Sequence, residues 1–344
     1  MTGGAWSSAV IASRRRKGRP VAGFALLAVA ALLAGPAVAA SARLVITTVF
    51  LAEFLSGGRY PLLSRLTDTP SRGRLTVDGV DIETFGARQR ARPGLVLVHG
   101  FAPEGNRDSR LQAAAALLAR AGFAVIVPTI PGLTQARLRP TDVEPVLTAL
   151  ALRPGPVTLV AVSLGAGPAL LAAADPRAHD RVGTVVVLGG YASARELVRY
   201  FLTGEYAFDG HRGRTLHDPA LVRAFISANG DLLGGRLRDA LERGDPGAAE
   251  AALRAVAPLL DALSPERVAA RIPGRLILIH GRDDRAVPYT ETLRLAAARR
   301  GSMTTVVVVG VIGHVGGADH GGMLLAAREM LALWGATYAF IAHR

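Results

Sequence analysis

The chain contains no cysteine, which excludes disulfides, thiolate nucleophiles and cysteine-based metal sites. Aromatic residues are also scarce, at 5% of the sequence. Since half of the chain is apolar, most of its apolar content is alanine, leucine and valine. This composition favours helices packed on a sheet over an aromatic-rich β-sandwich. The length of 344 residues suffices for one large α/β domain with an appended segment.

Acidic residues are fewer than basic ones, and the net charge of +13 raises the question of nucleic-acid binding. Most arginines are scattered through alanine-rich sequence, and the dense basic cluster at residues 14–19 directly precedes an apolar run. No nucleic-acid-binding motif accompanies that cluster. We therefore expect no nucleic-acid partner.

Charged residues are absent from residues 21–40, a run long enough to cross a bilayer as a helix. The basic cluster ahead of it should stay on the cytoplasmic side. We therefore expect residues 1–20 to be a cytoplasmic N-terminus and residues 21–55 to be a transmembrane anchor or signal segment. The rest of the chain is expected to be extracytoplasmic.

Two fates of this segment are open. The apolar character continues from Leu44 to Leu55, interrupted only by Glu53, which favours a retained membrane anchor. In contrast, Ala37-Val38-Ala39 is typical of a signal-peptidase site. Cleavage there would make Ala40 the first residue of a secreted protein.

The remaining chain has the organisation of an α/β protein. Residues 56–73 are rich in Arg, Pro, Ser and Thr and predict a linker, so the globular domain should occupy residues 74–344. It should open with a β-hairpin turning at Asp78-Gly79. Short apolar strands then alternate with helical patterns, which predicts a mostly parallel sheet with helices on both faces. The alternation lapses over residues 191–265, where we predict a helical insertion that acts as a lid.

Ser163 stands where the β-branched run Val157–Val162 meets an alanine-rich helical pattern. Strand, turn and helix in this order place the serine on the bend, with its hydroxyl at the end of the sheet. Ala161 and Gly165 are small, as such a turn requires, because it brings the helix backbone close to the strand. A serine that merely caps a helix is the alternative interpretation. The pattern resembles the nucleophile elbow of the α/β-hydrolases, with Ala161 where the commonest motif has glycine.

The resemblance covers roughly residues 74–340 and implies an α/β-hydrolase fold with the chain order Ser, Asp, His. In the family's acid loop two residues separate the aspartate from a Val-Pro pair, which implies Asp284 as the acid and leaves Asp283 as the alternative. The family pattern of Gly-His after the last strand implies His314 as the base, with His320 as the alternative.

Acyl transfer also needs hydrogen-bond donors for the oxyanion. The stretch from Leu95 to Phe101 resembles the family's His-Gly-x loop, which implies the backbone N–H of Phe101 as one donor. The second implied donor is the N–H of Leu164, at the positive end of the elbow helix. His99 is expected to support this loop, and His280 to be structural. The family implies no metal and no organic cofactor.

These residues predict a serine hydrolase that cleaves a small-molecule ester or related acyl bond through an acyl-enzyme intermediate. An acyltransferase on the same scaffold and a non-catalytic hydrolase-fold binding protein are the alternatives. Aromatic residues of the insertion are hypothesised to line an acyl pocket, although they could equally anchor the insertion to the sheet. These are Tyr191, Tyr200, Phe201, Tyr206 and Phe208.

Overall fold

The structure is a computed structural model, and the residues that it describes are 40–86, 92–299, 301, 303–310 and 323–342. The chain divides into two compact units, Met1–Leu44 and Val45–Arg344. The described residues of the first unit, 40–44, are helical. The predicted cytoplasmic N-terminus and the apolar run up to residue 39 lie outside the described residues.

The second unit is built around a sheet that has eight strands in the described part of the chain. The strands of this unit are β1 Arg72–Val77, β2 Val80–Phe85, β3 Gly94–Val98, β4 Ala124–Pro128, β5 Val157–Val162, β6 Val182–Leu188, β7 Glu205–Phe208, β8 His211–Arg214, β9 Arg275–Gly281 and β10 Thr304–Val309. The order across the main sheet is β1-β2-β4-β3-β5-β6-β9-β10, and β7 and β8 form a separate hairpin. Strands β1, β2 and β4 pair antiparallel, and all the other neighbours are parallel. The predicted mostly parallel sheet is confirmed.

Helices cover both faces of this sheet. They are α1 (residues 45–55), α2 Leu62–Leu66, α3 Ser109–Arg120, α4 Pro131–Thr134, α5 Val143–Ala151, α6 Ala166–Ala173, α7 Ala194–Thr203, α8 Pro219–Ala228, α9 Gly235–Arg243, α10 Ala248–Ala255, α11 Ala257–Ala262, α12 Thr290–Ala298 and α13 Met323–Ala342. Alternate strand residues point to opposite faces. Leu159 therefore lies in a core with α5, α6 and α12, and Val160 lies in a second core with α1, α3 and α13.

The segment predicted as a linker has structure of its own. Helix α2 lies within residues 56–73 and buries Leu63, and β1 begins at Arg72 rather than near residue 74. The Glu53 carboxylate accepts a 2.9 Å hydrogen bond from the backbone N–H of Ser64 in α2. Glu53 is therefore buried with a partner, which explains a charge within an apolar run. Phe50 and Leu51 of α1 and Leu63 of α2 are buried in the second core, so both helices belong to the unit that begins at Val45.

The closing helix α13 is longer than residues 322–333, the helix expected from the sequence. Among the described residues, Leu324–Ala342 is the one stretch with the length and apolar composition to cross a membrane. Leu333 and Phe340 of this helix are buried in the second core, and Trp334 donates a 3.0 Å hydrogen bond to the Thr48 hydroxyl in α1. Helices α1 and α13 therefore lie side by side on one face of the sheet.

The insertion at residues 191–265 is mainly helical, as predicted, and contains α7 to α11. It also contains the β7–β8 hairpin, which the sequence analysis did not predict. Asp209 and Gly210 at its turn both have positive φ, 48° and 79°. Asp-Gly is a strong hairpin signal because such turns need positive φ at both central positions. The action of this insertion as a lid stays a prediction.

Candidate active site

Ser163 occupies a strained turn between strand β5 and helix α6. Its φ is +52°, a conformation that costs a non-glycine residue about 1–2 kcal/mol. A Cβ at Gly165 would overlap the carbonyl oxygen of His99, so the residue after Leu164 must be glycine. The strand, turn and helix predicted around Ser163 are thus present. Position 165 needs a small residue because the turn brings the backbone close to a neighbouring segment, as expected from the sequence.

The loop after β3 lies directly against this serine. A Cβ on Gly100 would stand 3.0 Å from Cβ of Ser163 and 3.5 Å from its Oγ. Phe101 follows Gly100, and its side chain is 48% exposed. Within the described residues, the backbone N–H groups of Phe101 and Leu164 donate to no protein acceptor. They are free to meet a ligand oxygen, although their role as oxyanion donors stays a prediction.

His99 has no free ring nitrogen with which to act as a base. Its Nε2 accepts a 2.9 Å hydrogen bond from the backbone N–H of Ile130, so Nδ1 carries the proton and donates to the carbonyl of Gly100 at 2.7 Å. Burial lowers the pKa of His99 and keeps the ring neutral. The ring therefore holds the loop that carries Phe101.

Asp284 is fixed by its own loop. Its Oδ1 accepts hydrogen bonds from the backbone N–H groups of Ala286, at 2.8 Å, and Val287, at 3.1 Å. Its Oδ2 lies beside Gly189, where a Cβ would be 3.0 Å away. The Asp284 side chain is 28% exposed, and Asp283 is exposed. Both aspartates line the same cavity, and Asp284 is the one with a fixed carboxylate.

His280 stabilises the loop that contains Asp284 through a hydrogen bond to the backbone of Val287. Its Nδ1 faces the Thr292 hydroxyl at 2.7 Å and its Nε2 donates to the carbonyl of Val287 at 2.9 Å. Burial lowers the pKa of His280, and the charge of Asp284, 3.6 Å away, opposes this only in part. Both ring nitrogens are occupied, which agrees with the structural role expected from the sequence.

Ser163 and Asp284 lie at the same edge of the sheet. Gly189 and Gly190, at the end of β6, lie between them: a Cβ on Gly190 would be 3.7 Å from the backbone oxygen of Ser163, whereas Gly189 adjoins Asp284. Strand β10 ends at Val309 beside the end of β9. His314 and His320 follow in the sequence and lie outside the described residues, so the assignment of the base stays a prediction.

A cavity of about 1420 Å³ opens onto Ser163 and Leu164. Most of its lining is apolar, and its polar lining includes Asp142, a buried carboxyl that accepts a 2.9 Å hydrogen bond from the N–H of Gly132. Burial raises the pKa of Asp142. Within the described ranges, no group of three or more His, Asp or Glu residues could hold a metal ion.

Some aromatic residues of the insertion line the cavity, and others anchor the insertion to the rest of the domain. Tyr191 and Phe201 line the cavity, as a pocket wall would. Tyr200 is fully buried, and its hydroxyl donates a 2.8 Å hydrogen bond to the carbonyl of Arg285 in the acid loop. The ring of Tyr206 packs edge-on against that of Tyr200. Tyr200 therefore anchors the insertion, whereas its neighbour Phe201 faces the cavity.

The sequence analysis missed one wall of the site. Phe50, Leu51, Phe54 and Leu55 of α1 line the cavity. The sequence predicts these residues as part of the membrane segment, because a membrane helix and a core helix have the same apolar composition.

A mostly parallel sheet with a serine on a strained strand-to-helix turn defines the α/β-hydrolase class of folds. The model of the alpha/beta hydrolase family matches residues 95–333. The chain therefore belongs to this family, which confirms the α/β-hydrolase fold predicted from the sequence. No curated protein matches the sequence.

Several solved structures share the fold. The acylaminoacyl peptidase of Pyrococcus horikoshii has 16% identity and a TM-score of 0.51 over 82% of this chain and 43% of the peptidase. An acylaminoacyl peptidase in complex with Z-Gly-Gly-Phe-chloromethyl ketone has the same identity and coverages and a TM-score of 0.50. A membrane phospholipase A has 20% identity and a TM-score of 0.47 over 93% of this chain and 99% of its own. This chain spans less than half the length of the peptidases, and their 16% identity shows a common fold alone.

Proposed function

We propose that this protein is a serine hydrolase that cleaves an ester or related acyl bond of a small molecule, with Ser163 as nucleophile, Asp284 as acid and His314 as base. One observation carries the proposal: Ser163 holds a strained backbone conformation at the mouth of a large, mostly apolar cavity. Strain of this kind persists where surrounding structure imposes it, typically at functional sites. A serine that only capped a helix would gain nothing from a positive φ.

In the proposed mechanism, His314 takes the proton of Ser163 Oγ as the oxygen attacks the acyl carbon. The negative charge that develops on the carbonyl oxygen is received by the N–H groups of Phe101 and Leu164. The histidine then gives its proton to the leaving alcohol, and an acyl-enzyme remains. Water, activated by the same base, releases the acid and restores Ser163. Asp284 orients the imidazole and stabilises its charged form.

An acyltransferase would share every step up to the acyl-enzyme and would then use an alcohol or thiol in place of water. The two activities are separated by assaying the full chain with and without a primary alcohol acceptor. A transfer product that dominates over free acid at low acceptor concentration would identify the transferase. A non-catalytic binding protein would form no acyl-enzyme at all.

The test of the proposal is labelling by a fluorophosphonate probe, which reacts with activated serines. The full chain should be labelled at Ser163, as located by mass spectrometry of the modified peptide. The Ser163→Ala protein should not be labelled. A well-folded wild-type chain that the probe does not modify would refute the proposal and favour the binding protein.

We also propose that the catalytic domain is extracytoplasmic and held at the membrane by the run at residues 21–40, with secretion after cleavage as the alternative. Protease added outside spheroplasts should digest the domain, and protection without permeabilisation would overturn this topology. Mass spectrometry of the mature N-terminus distinguishes a retained membrane anchor from secretion after cleavage. A chain that starts at Ala40 would be secreted, and would still contain α1.

A further inference from the structure

The lining of the cavity at Ser163 includes residues from the cores on both faces of the sheet, and we call the part on each face a lobe. The first lobe lies under the insertion and is lined by Leu133, Tyr191, Leu197, Phe201 and Leu263. The second lobe lies between the opposite face of the sheet and helices α1, α3 and α13. Its lining includes Phe50, Leu51, Leu118, Val160, Ile279 and Ala336. Strand residues alternate between faces, so Val160 lines the second lobe while its neighbours in β5 face the first core.

The polar residues that the bounding helices contribute to the described lining are Thr337 of α13 and the pair Asp108 and Arg110 at the start of α3. Arg110 is 85% exposed and forms a 2.9 Å ion pair with Asp108, so the rest of the second lobe is apolar. The hydroxyl of Thr337 does not serve a ligand, because it donates a 2.8 Å hydrogen bond to the carbonyl of Leu333 in its own helix. Water is retained in cavities that offer it several polar partners, and apolar cavities bind apolar molecules instead. The lobe is therefore suited to a hydrocarbon chain and unsuited to a polar or charged group.

Helix α1 places one end of this lobe at the surface. Phe54 lines the cavity and is 42% exposed, and its ring stacks on that of Phe50 with centroids 6.1 Å apart. Phe50 is buried in the second core. The stacked pair thus forms a continuous apolar path from the surface to the interior.

From these observations we propose that the second lobe holds the long acyl chain of a lipid ester, with α1 as one wall of the binding site. The inference rests on the proposed hydrolase function and specifies its substrate class. The ester carbonyl lies at Ser163 and the chain extends between the sheet and α1, towards Phe54. Phe50, Phe54 and Ala336 determine the accepted chain length. Helix α1 is accordingly part of the enzyme, and removing residues before 56 would open the site.

The test measures kcat/KM of the full chain on p-nitrophenyl butyrate, octanoate, laurate and palmitate. Each methylene transferred into an apolar site contributes about 0.8 kcal/mol, so kcat/KM should rise by up to about fourfold per methylene until the lobe is filled. Ala336→Phe should fill part of the lobe. Losing room for two methylenes corresponds to about fifteenfold, so the laurate-to-butyrate ratio should fall by about that factor.

Leu331→Phe is the matched control, because Leu331 is on the same helix, is 70% exposed and does not line the cavity within its described lining. It should leave the chain-length profile unchanged. Phe54→Ala is the second variant, since its partly exposed position makes misfolding a small risk. It should raise KM for laurate more than for butyrate. A thermal melt of each variant establishes folding.

The outcomes separate this inference from the proposed function. Hydrolysis of butyrate with no gain for laurate, or a profile that Ala336→Phe and Phe54→Ala leave unchanged in folded proteins, would overturn the lipid inference while the hydrolase stands. A wild-type chain that neither hydrolyses any ester nor reacts with a fluorophosphonate would overturn the hydrolase itself. Phosphatidylcholine vesicles test the source of the chain: release of fatty acid supports a membrane lipid, and turnover of dissolved esters alone refutes it.

Discussion

The hydroxyl of Tyr200 donates a 2.8 Å hydrogen bond to the backbone carbonyl of Arg285, the residue that follows Asp284. Tyr200 lies in α7, so the insertion is attached directly to the acid loop. A second link joins the same parts, since the buried Glu291 of α12 accepts hydrogen bonds from the N–H groups of Ala192 and Ser193 at 3.0 and 2.8 Å. The position of the insertion and that of the aspartate are therefore coupled.

Tyr200→Phe removes the hydroxyl and leaves the Arg285 carbonyl without this donor. We expect the free energy of unfolding to fall by about 1 kcal/mol and kcat to fall with KM unchanged, because the acid loop loses a support. Tyr206→Phe is the matched control, since the Tyr206 hydroxyl makes no hydrogen bond within the described chain. Phe201→Ala should instead raise KM, because Phe201 lines the cavity. Equal effects of Tyr200→Phe and Tyr206→Phe in denaturation and kinetics would contradict the prediction.

Ser163→Ala should reduce ester turnover by a factor of about 10⁴ or more, as losing a nucleophile does in serine hydrolases. Ser163→Gly should be equally inactive but more stable than Ser163→Ala by about 1 kcal/mol, because glycine adopts the φ of +52° without strain. Activity assays and urea denaturation measure both effects. If the alanine protein were the more stable of the two, the strain at this turn would be unimportant.

Mutation distinguishes the two candidate bases that follow β10 in the sequence, His314 and His320. His314→Ala should lose activity as severely as Ser163→Ala, and His320→Ala should retain most of it, because the family pattern implies His314 as the base. Both proteins should melt near the wild-type temperature. The reverse ranking in kcat/KM would assign the base to His320.

Protein stability should fall as the pH decreases from neutrality. Burial lowers the pKa of His99 and His280 in the folded state, so below the unfolded value of 6.5 the unfolded chain binds protons that the folded chain does not. The stabilisation is present above pH 6.5 and is lost as the pH falls towards the folded pKa. Each histidine contributes a slope of up to about 1.4 kcal/mol per pH unit. Urea denaturation from pH 7.5 downwards measures it, and His280→Gln should show a smaller slope than wild type.

The sequence by itself was sufficient for the strands of the main sheet and the serine turn. Alternation of apolar strands with helical patterns predicted the parallel sheet, and small residues around Ser163 predicted the turn that Gly165 makes possible. These features are local, so neighbouring residues specify them. The same holds for the Asp-Gly turn between β1 and β2, where Asp78 and Gly79 both have positive φ. His314 remains a prediction from the family pattern.

Only the tertiary structure decided what α1 does and which aromatic residues face the cavity. An apolar run has the same composition in a bilayer and in a protein core, so its environment depends on distant partners such as Trp334, which binds Thr48. Tyr200 and Phe201 are adjacent in sequence, yet one supports the acid loop and the other lines the cavity. Successive residues of a helix point in different directions, and the docking of α7 on the sheet, which no local pattern encodes, determines which of them meets the substrate.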